Sequence, residues 1–525
     1  MMISDCSVPV RFKQSCQQET GSMTKQHADN TDNIINSAAA KASEAFSETP
    51  SDKLHEECGV FGVYSPDTAD VASTVYYGLY ALQHRGQEGC GITVNDDGIF
   101  HTHKDVGLIN DVFTHEVLRS FGNGNMAIGH VRYGTTGGRI RENCQPMQVN
   151  HVKGPMSLVH NGNLTNAATL KRKLELQGAI FHTTSDTEVI AYEITRERLR
   201  CPSIETAIEA AAELIEGAFS LIIMSPSKLI AVRDKRGFRP LCYGKRDDGS
   251  YIIASESCAL NAVGAHFIRD IEPGEILVID KEGPRSIKTH CHTAETSMCV
   301  FEYIYFARPD SIIDGVSVHD SRVKAGAFLA KAHPVDADVV VGVPDSGLDA
   351  ALGYAKASGI PFELGFIKNK YMGRTFIEPG QSNREDKVRI KLNPVPTAVK
   401  GKRVVLVDDS IVRGTTSRRI ISLLRDAGAK EVHMRISAPP FTNPCYYGTD
   451  VDSREHLIAC NHTVAEIADI IGADSLGYLS IEDAKQLAAE SGMNFCTACF
   501  SGIYPTELPD LNTENRFEHK ISENN

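Results

Sequence analysis

One stretch constrains the architecture of this chain more than any other: Val404-Val405-Leu406-Val407-Asp408-Asp409-Ser410-Ile411-Val412-Arg413-Gly414-Thr415-Thr416. Its four leading apolar residues, mostly β-branched, read as a buried strand with two adjacent carboxylates at its carboxyl end. A Gly-Thr-Thr turn then opens a helix, with Ile420, Ile421, Leu423, Leu424 and Ala427 on one face and Gly428 as its stop. In an α/β sheet, ligands bind outside the carboxyl ends of the strands, and a helix N-terminus there suits a phosphate. Paired acids beside such a cradle fit a ligand carrying both hydroxyls and phosphate. The acids accept from vicinal hydroxyls while backbone N–H groups hold the phosphate.

The same grammar continues around this stretch. Val339-Val340-Val341-Gly342-Val343-Pro344-Asp345-Ser346-Gly347 reads as strand then loop, followed by a helix through Ala350 to Ala357, and further strands are predicted at 362–368 and 432–437. Strand–helix alternation of this kind predicts a parallel sheet with helices on both faces. Between two of these strands lies a basic, Gly-punctuated segment containing Lys370 and Arg374, too irregular for a core element. A basic loop there could close over a pyrophosphate and exclude water.

At 525 residues the chain exceeds a single core, so two or three domains are expected. A formal charge of −13 argues against a general nucleic-acid or anionic-membrane binder. The absence of a bilayer-length apolar run or a signal-peptide pattern sets a cytoplasmic location as the expectation. In that setting the 14 cysteines are expected to be mostly reduced, which favours metal or nucleophile roles over a disulfide framework. Residues 1–57 stand apart: polar, poor in large apolar groups, and with more acids than Lys plus Arg, unlike a transit peptide.

Regular structure is expected from Cys58-Gly59-Val60-Phe61-Gly62-Val63-Tyr64, an alternating strand pattern. Four blocks follow that place Gly or polar residues beside short apolar runs: Leu82 to Glu88, His130 to Gly137, Val159 to Leu164 and Thr183 to Glu188. Near the other end stand Cys299, Cys445 and the pair Cys496-Thr497-Ala498-Cys499. Spacing alone leaves zinc and an iron–sulfur cluster both open for these thiols.

The acid-pair stretch resembles the signature of the type I phosphoribosyltransferases, and the blocks between 58 and 290 resemble the glutaminase domain of the N-terminal-nucleophile (class II) amidotransferases. From Cys58 to Leu508 the chain is similar to the iron–sulfur-bearing branch of the glutamine phosphoribosylpyrophosphate (PRPP) amidotransferases. The resemblance implies an α+β and α/β chain: an αββα glutaminase domain over 58–290, a phosphoribosyltransferase α/β domain over 291–510, a leader of 1–57 removed by cleavage after Glu57, and a polar tail of 511–525. A 57-residue leader is longer than is usual in the family, and in the family a freed α-amine at the nucleophile serves as its base.

Carried over by motif, the resemblance gives Cys58 as nucleophile, Asn161 and Gly162 as oxyanion hole, and Arg132 and Asp186 as clamps for the α-carboxylate and α-ammonium of glutamine. Asp408, Asp409, Gly414, Thr415, Thr416, Lys370 and Arg374 would bind PRPP; Ser346 with the acid pair would hold Mg²⁺. Cys299, Cys445, Cys496 and Cys499 would hold a [4Fe–4S] cluster. It further implies a pentosyltransferase committing flux to purine (IMP) synthesis, a homotetramer, and feedback inhibition by purine nucleotides. Two rival functions fit the sequence less well. An amidotransferase acting on another sugar phosphate would lack the acid-pair signature, and a PRPP-sensing regulator would have lost the nucleophile or clamps. His84, His130 and His160 are expected to support the site rather than react, and His290-Cys291-His292 matches no family site.

Overall fold

The structure, a computed structural model, describes residues 58–133, 140–369, 392–451 and 453–508. The expected leader 1–57, the tail 511–525, and Lys370 and Arg374 lie outside the described residues.

The first half is a helix–sheet–sheet–helix sandwich. Strand Gly59–Ala69 runs antiparallel between Tyr251–Ala254 and Gly124–Arg132 within a seven-stranded sheet. Its side chains alternate between two cores. Phe61 and Val63 pack beneath helices Val71–Ala81 and Ser257–Ala262, whereas Val60 and Tyr64 face the second sheet. Alternation therefore separates two buried faces, not a buried from a wet one, and the first seven residues of the strand are all buried.

The second sheet has six strands, in the order Gly283–Ile287, Ile276–Asp280, Leu229–Arg233, Gly217–Met224, Gly154–Leu164 and Met147–His151. Val159, Ile222, Leu229 and Ala231 meet the first sheet. Its outer face is covered by helices Ala167–Glu175, Asp186–Arg200 and Ile204–Ala212 through Leu170, Leu174, Ile190, Ile194 and Ile208.

The second half is built on four parallel strands in the order Val339–Gly342, Arg403–Asp408, Glu431–Ile436 and Ser475–Tyr478. Val404 through Val407 have no exposed surface, as a strand covered on both faces requires. Helices Val318–Ala332, Gly347–Ser358, Thr415–Asp426 and Val464–Ile471 supply that cover. The helix after the acid pair buries Ile420, Ile421, Leu423 and Leu424 and ends at Asp426, just before Gly428. The strand expected over 362–368 is shorter. Only Phe366–Lys368 pairs, with Leu392–Pro394, while Phe362 makes a single bridge to Val340. The chain leaves the ladder at Leu364, whose side chain is 53% exposed.

The halves share backbone. Ser297 N–H donates to Arg236 O at 2.7 Å and Cys299 N–H to Phe238 O at 3.1 Å, while Met298–Cys299 pairs in parallel with Phe495–Cys496. Among the described residues, no helix is long and apolar enough to cross a membrane.

Candidate active sites and cysteine cage

Cys58 stands at the entry to strand Gly59–Ala69, with its Sγ 3.5 Å from Tyr133 O and its carbonyl accepting from Arg85 Nε at 3.1 Å. The register Gly59↔Val131 brings Arg132, buried at the end of the neighbouring strand, to the same sheet edge. The second sheet reaches this edge through His130, whose Nε2 meets His160 O at 3.0 Å. Burial, opposed by that backbone contact, pushes His130 down to about 3, so it is a neutral imidazole at pH 7.

Asn161 and Gly162 follow His160 on strand Gly154–Leu164. Asn161 is 1% exposed, and among the described residues neither its side-chain nitrogen nor its oxygen has a hydrogen-bond partner. An unmet buried amide costs about 1–3 kcal/mol, so its presence calls for an explanation. Gly162 has φ +141°, and a Cβ there would lie 2.1 Å from Ala218 O, so no other residue fits.

Asp186 is the first residue of helix Asp186–Arg200, which Ser185 caps by accepting from Thr187 N–H at 3.3 Å. Its Oδ2 accepts from Leu164 N–H at 2.9 Å, and Oδ1 lies 3.4 Å from His160 Nδ1. Burial alone would push the Asp186 carboxyl up. His160 and the Leu164 and Thr187 N–H groups outweigh it and hold the group below the usual carboxylate range. A charged carboxylate thus sits beside the strand that carries Asn161 and Gly162.

Behind these groups lies a buried ionic chain. Arg85 spans Glu256 Oε1 at 2.7 Å and both carboxylate oxygens of Glu302 at 2.6 and 2.9 Å, while His84 Nε2 meets Glu256 Oε1 at 2.7 Å. Arg239 Nη1 lies 3.5 Å from Glu302 Oε1. Burial would raise Glu256, but His84 and Arg85 together hold it far below the usual range. His84 and Arg85 lie in the Leu82–Glu88 block, but no sequence motif gives Arg85 or Glu302 a role. Glu256 and Arg239 carry no local motif, since what defines them is pairing with residues far away in the chain.

At the other site, the acid pair falls where the strand ends. Asp408 closes strand Arg403–Asp408 and is buried; its Oδ1 accepts from Asp409 N–H at 3.0 Å. Asp409 accepts from the hydroxyls of Ser346 and Ser410. Ser346 arrives through Val343 N–H, which donates to Val407 O at 2.9 Å and lays the 343–347 loop beside the acid pair. Oxygen donors of Ser346, Asp408 and Asp409 therefore meet at one sheet edge, a donor set suited to a hard divalent cation. Gly414 caps the helix whose first residues are Thr415 and Thr416.

The four widely spaced cysteines also converge. Cys299 and Cys496 are register partners on parallel strands, and Cys499 follows in helix Ala498–Ser501. Cys499 O accepts from Thr442 and Asn443 N–H, both at 3.0 Å, which draws in Cys445. All four line one small cavity with Phe238, Arg239 and Tyr447. Burial pushes Cys496 up to about 12, and burial together with the other three cysteines pushes Cys499 well up. Among the described residues no three such side chains gather closely enough for a single ion. One tetrahedral zinc at about 2.3 Å from each sulfur would need the thiols in mutual contact. Four thiols lining one cavity fit a thiolate-held metal centre.

A glutamine amidotransferase domain model matches residues 133–262, and a phosphoribosyl transferase domain model matches residues 319–456. The chain is 50% identical over 466 residues to the amidophosphoribosyltransferase of Methanocaldococcus jannaschii, covering 86% of this chain and 98% of that one. It belongs to the amidophosphoribosyltransferase family. Two solved structures agree in fold along nearly their whole length. One is the allosteric regulatory enzyme of purine biosynthesis, at TM-score 0.81 and 49% identity, covering 87% of this chain and 98% of that one. The other is the glutamine PRPP amidotransferase of Bacillus subtilis complexed with ADP and GMP, at TM-score 0.79 and 49% identity, covering 86% and 98%. As an amidophosphoribosyltransferase the chain is a pentosyltransferase with glutamine amidotransferase activity, and its two site regions fall in the halves that carry those two domains.

Proposed function

We propose that this enzyme releases ammonia from glutamine at Cys58 and transfers it to C1 of PRPP, giving 5-phosphoribosylamine, glutamate and pyrophosphate, the first committed step of purine synthesis. The observation that carries the glutaminase half is Asn161. A buried amide whose Nδ2 donor has no partner among the described residues, next to a position only glycine fits, supplies the donor an oxyanion hole needs.

In this reading the Cys58 thiol attacks the carboxamide carbon, and its proton passes to the α-amine exposed by cleavage after Glu57. Asn161 Nδ2 and the Gly162 N–H hold the oxyanion. Ammonia leaves with that proton, and water hydrolyses the thioester to glutamate. Arg132 takes the α-carboxylate through its fork, and Asp186, held ionised, pairs with the α-ammonium. Ammonia then attacks C1 as pyrophosphate departs. Asp408 and Asp409 accept from the ribose hydroxyls, Gly414, Thr415 and Thr416 cradle the 5′-phosphate, and Lys370 and Arg374 contribute positive charge to PRPP binding.

Ser346, Asp408 and Asp409 would hold Mg²⁺, which supplies charge neutralisation for the leaving pyrophosphate. Cys299, Cys445, Cys496 and Cys499 would hold a [4Fe–4S] cluster as a structural staple, placing the chain in the iron–sulfur branch. The reading includes a cytoplasmic homotetramer inhibited by purine nucleotides; the nucleotides bound by the Bacillus subtilis neighbour support the last point. Intact mass is the first test. An active protein should begin at Cys58, and an active one retaining its leader would overturn the amine-base mechanism.

A further inference from the structure

We infer that the turn 446–449, which belongs to the phosphoribosyltransferase half, positions Gly162 as an oxyanion donor, with Arg239 as the strut that fixes the turn; this rests on the function proposed above. Gly448 has φ +112°, and a Cβ on it would lie 3.3 Å from Gly162 C and 3.4 Å from Gly162 Cα. On its other side Gly162 is wedged against Ala218 O. The peptide that carries the donor is thus clamped between its own sheet and a turn from the other half.

The turn is tied down at Tyr446, Tyr447 and Thr449. Asn163 Nδ2 donates to Tyr446 O at 3.1 Å. The ring of Tyr447 stacks on Phe238, with centroids 4.3 Å apart and planes 19° apart. Arg239, fully buried, donates from Nη2 to Tyr447 O at 2.7 Å and to Thr449 Oγ1 at 3.4 Å. Through Glu302 the same guanidinium joins Arg85, which holds the Cys58 carbonyl. One ionic chain therefore references both the nucleophile and the oxyanion donor to the turn. Oxyanion donors act only when held within tenths of an ångström of the developing charge, so this is a positioning role.

The test is Gly448→Ala, which crowds Gly162, with Asn163→Ala, which cuts the tether without adding bulk. Glutamine hydrolysis should lose about tenfold or more in kcat in Gly448→Ala and about threefold in Asn163→Ala, with KM for glutamine nearly unchanged, as for a donor used only in the transition state. Alkylation of Cys58 by iodoacetamide and synthesis from added ammonia should match wild type, since neither uses the oxyanion hole. Unchanged kcat in both variants, or equal losses in alkylation and ammonia-dependent synthesis, would overturn the inference alone. A wild-type protein with no glutamine hydrolysis would instead overturn the proposed function, and the inference with it.

Discussion

At the edge of the parallel sheet, strand, acid pair, turn and helix start all lie within residues 404–416, and of the site residues among those described only Ser346 is brought from elsewhere. Across the molecule, the glutaminase residues Cys58, Arg132, Asn161, Gly162 and Asp186 come from strands of two sheets and the start of a helix. The first site is made by local chain geometry and sits on a sheet edge. The second is made by tertiary packing, backed by buried charges on Arg85, Glu256, Glu302 and Arg239. The lesson is that a phosphate and a sugar can be met by one loop and a helix end. An amide-cleaving site needs donors fixed from several directions, and here some of that fixing comes from the other half of the chain.

Separating the two sites chemically gives the largest expected effect. Cys58→Ala should remove glutamine-dependent synthesis by at least about 10³-fold while leaving ammonia-dependent synthesis near wild type. Equal loss of both would mean the halves cannot be separated. Conversely, Asp408→Asn with Asp409→Asn should cut synthesis from either nitrogen source by about 10²-fold or more, measured as pyrophosphate release, and leave glutamine hydrolysis measurable. If glutamine hydrolysis vanished too, the acid pair would not be confined to the phosphoribosyl site.

The cysteine cage sharpens the comparison, because it lies where the halves meet. Anaerobically purified protein should carry iron and acid-labile sulfide, and Cys496→Ser should lose both together with folded yield. Zinc without iron or sulfide would contradict the cluster. Glu302→Gln breaks a fully buried pairing with Arg85, so a loss of about 3–5 kcal/mol in stability is expected from denaturant unfolding of the holoprotein. A change below about 1 kcal/mol would show that the ionic chain is not a support.

The smallest effect is on pH. Glu256 is held below the ordinary carboxylate value of about 4.3, so its contribution to stability is complete above that value and is lost as pH falls through its own lowered pKa. The stability difference between wild type and Glu256→Gln should therefore shrink as pH falls below about 4. A difference that instead grew as pH fell would reverse the assignment.

The contrast between the sites also explains what was legible in the sequence. The phosphoribosyl site could be read because its grammar is contiguous: Val404 to Val407 must be a buried strand, and Gly414 to Thr416 must open a helix. The four-layer half was expected only by resemblance. Its strands are buried on both faces, so Val60 to Tyr64 gave the right period without saying which core each side chain enters. Glu256 and Arg239 were invisible for a physical reason: a buried charge is defined by its partner, and these partners are far apart in the chain. The cysteine cage lay between these extremes. Its members could be listed from context, but spacing could not choose the metal.

The most direct test of a single coupled enzyme is glutamate release from glutamine by anaerobically purified protein, with and without PRPP and Mg²⁺, alongside pyrophosphate release. The account predicts strong stimulation by PRPP and equimolar glutamate and pyrophosphate. Glutamate release that ignores PRPP, with no matching pyrophosphate, would contradict it.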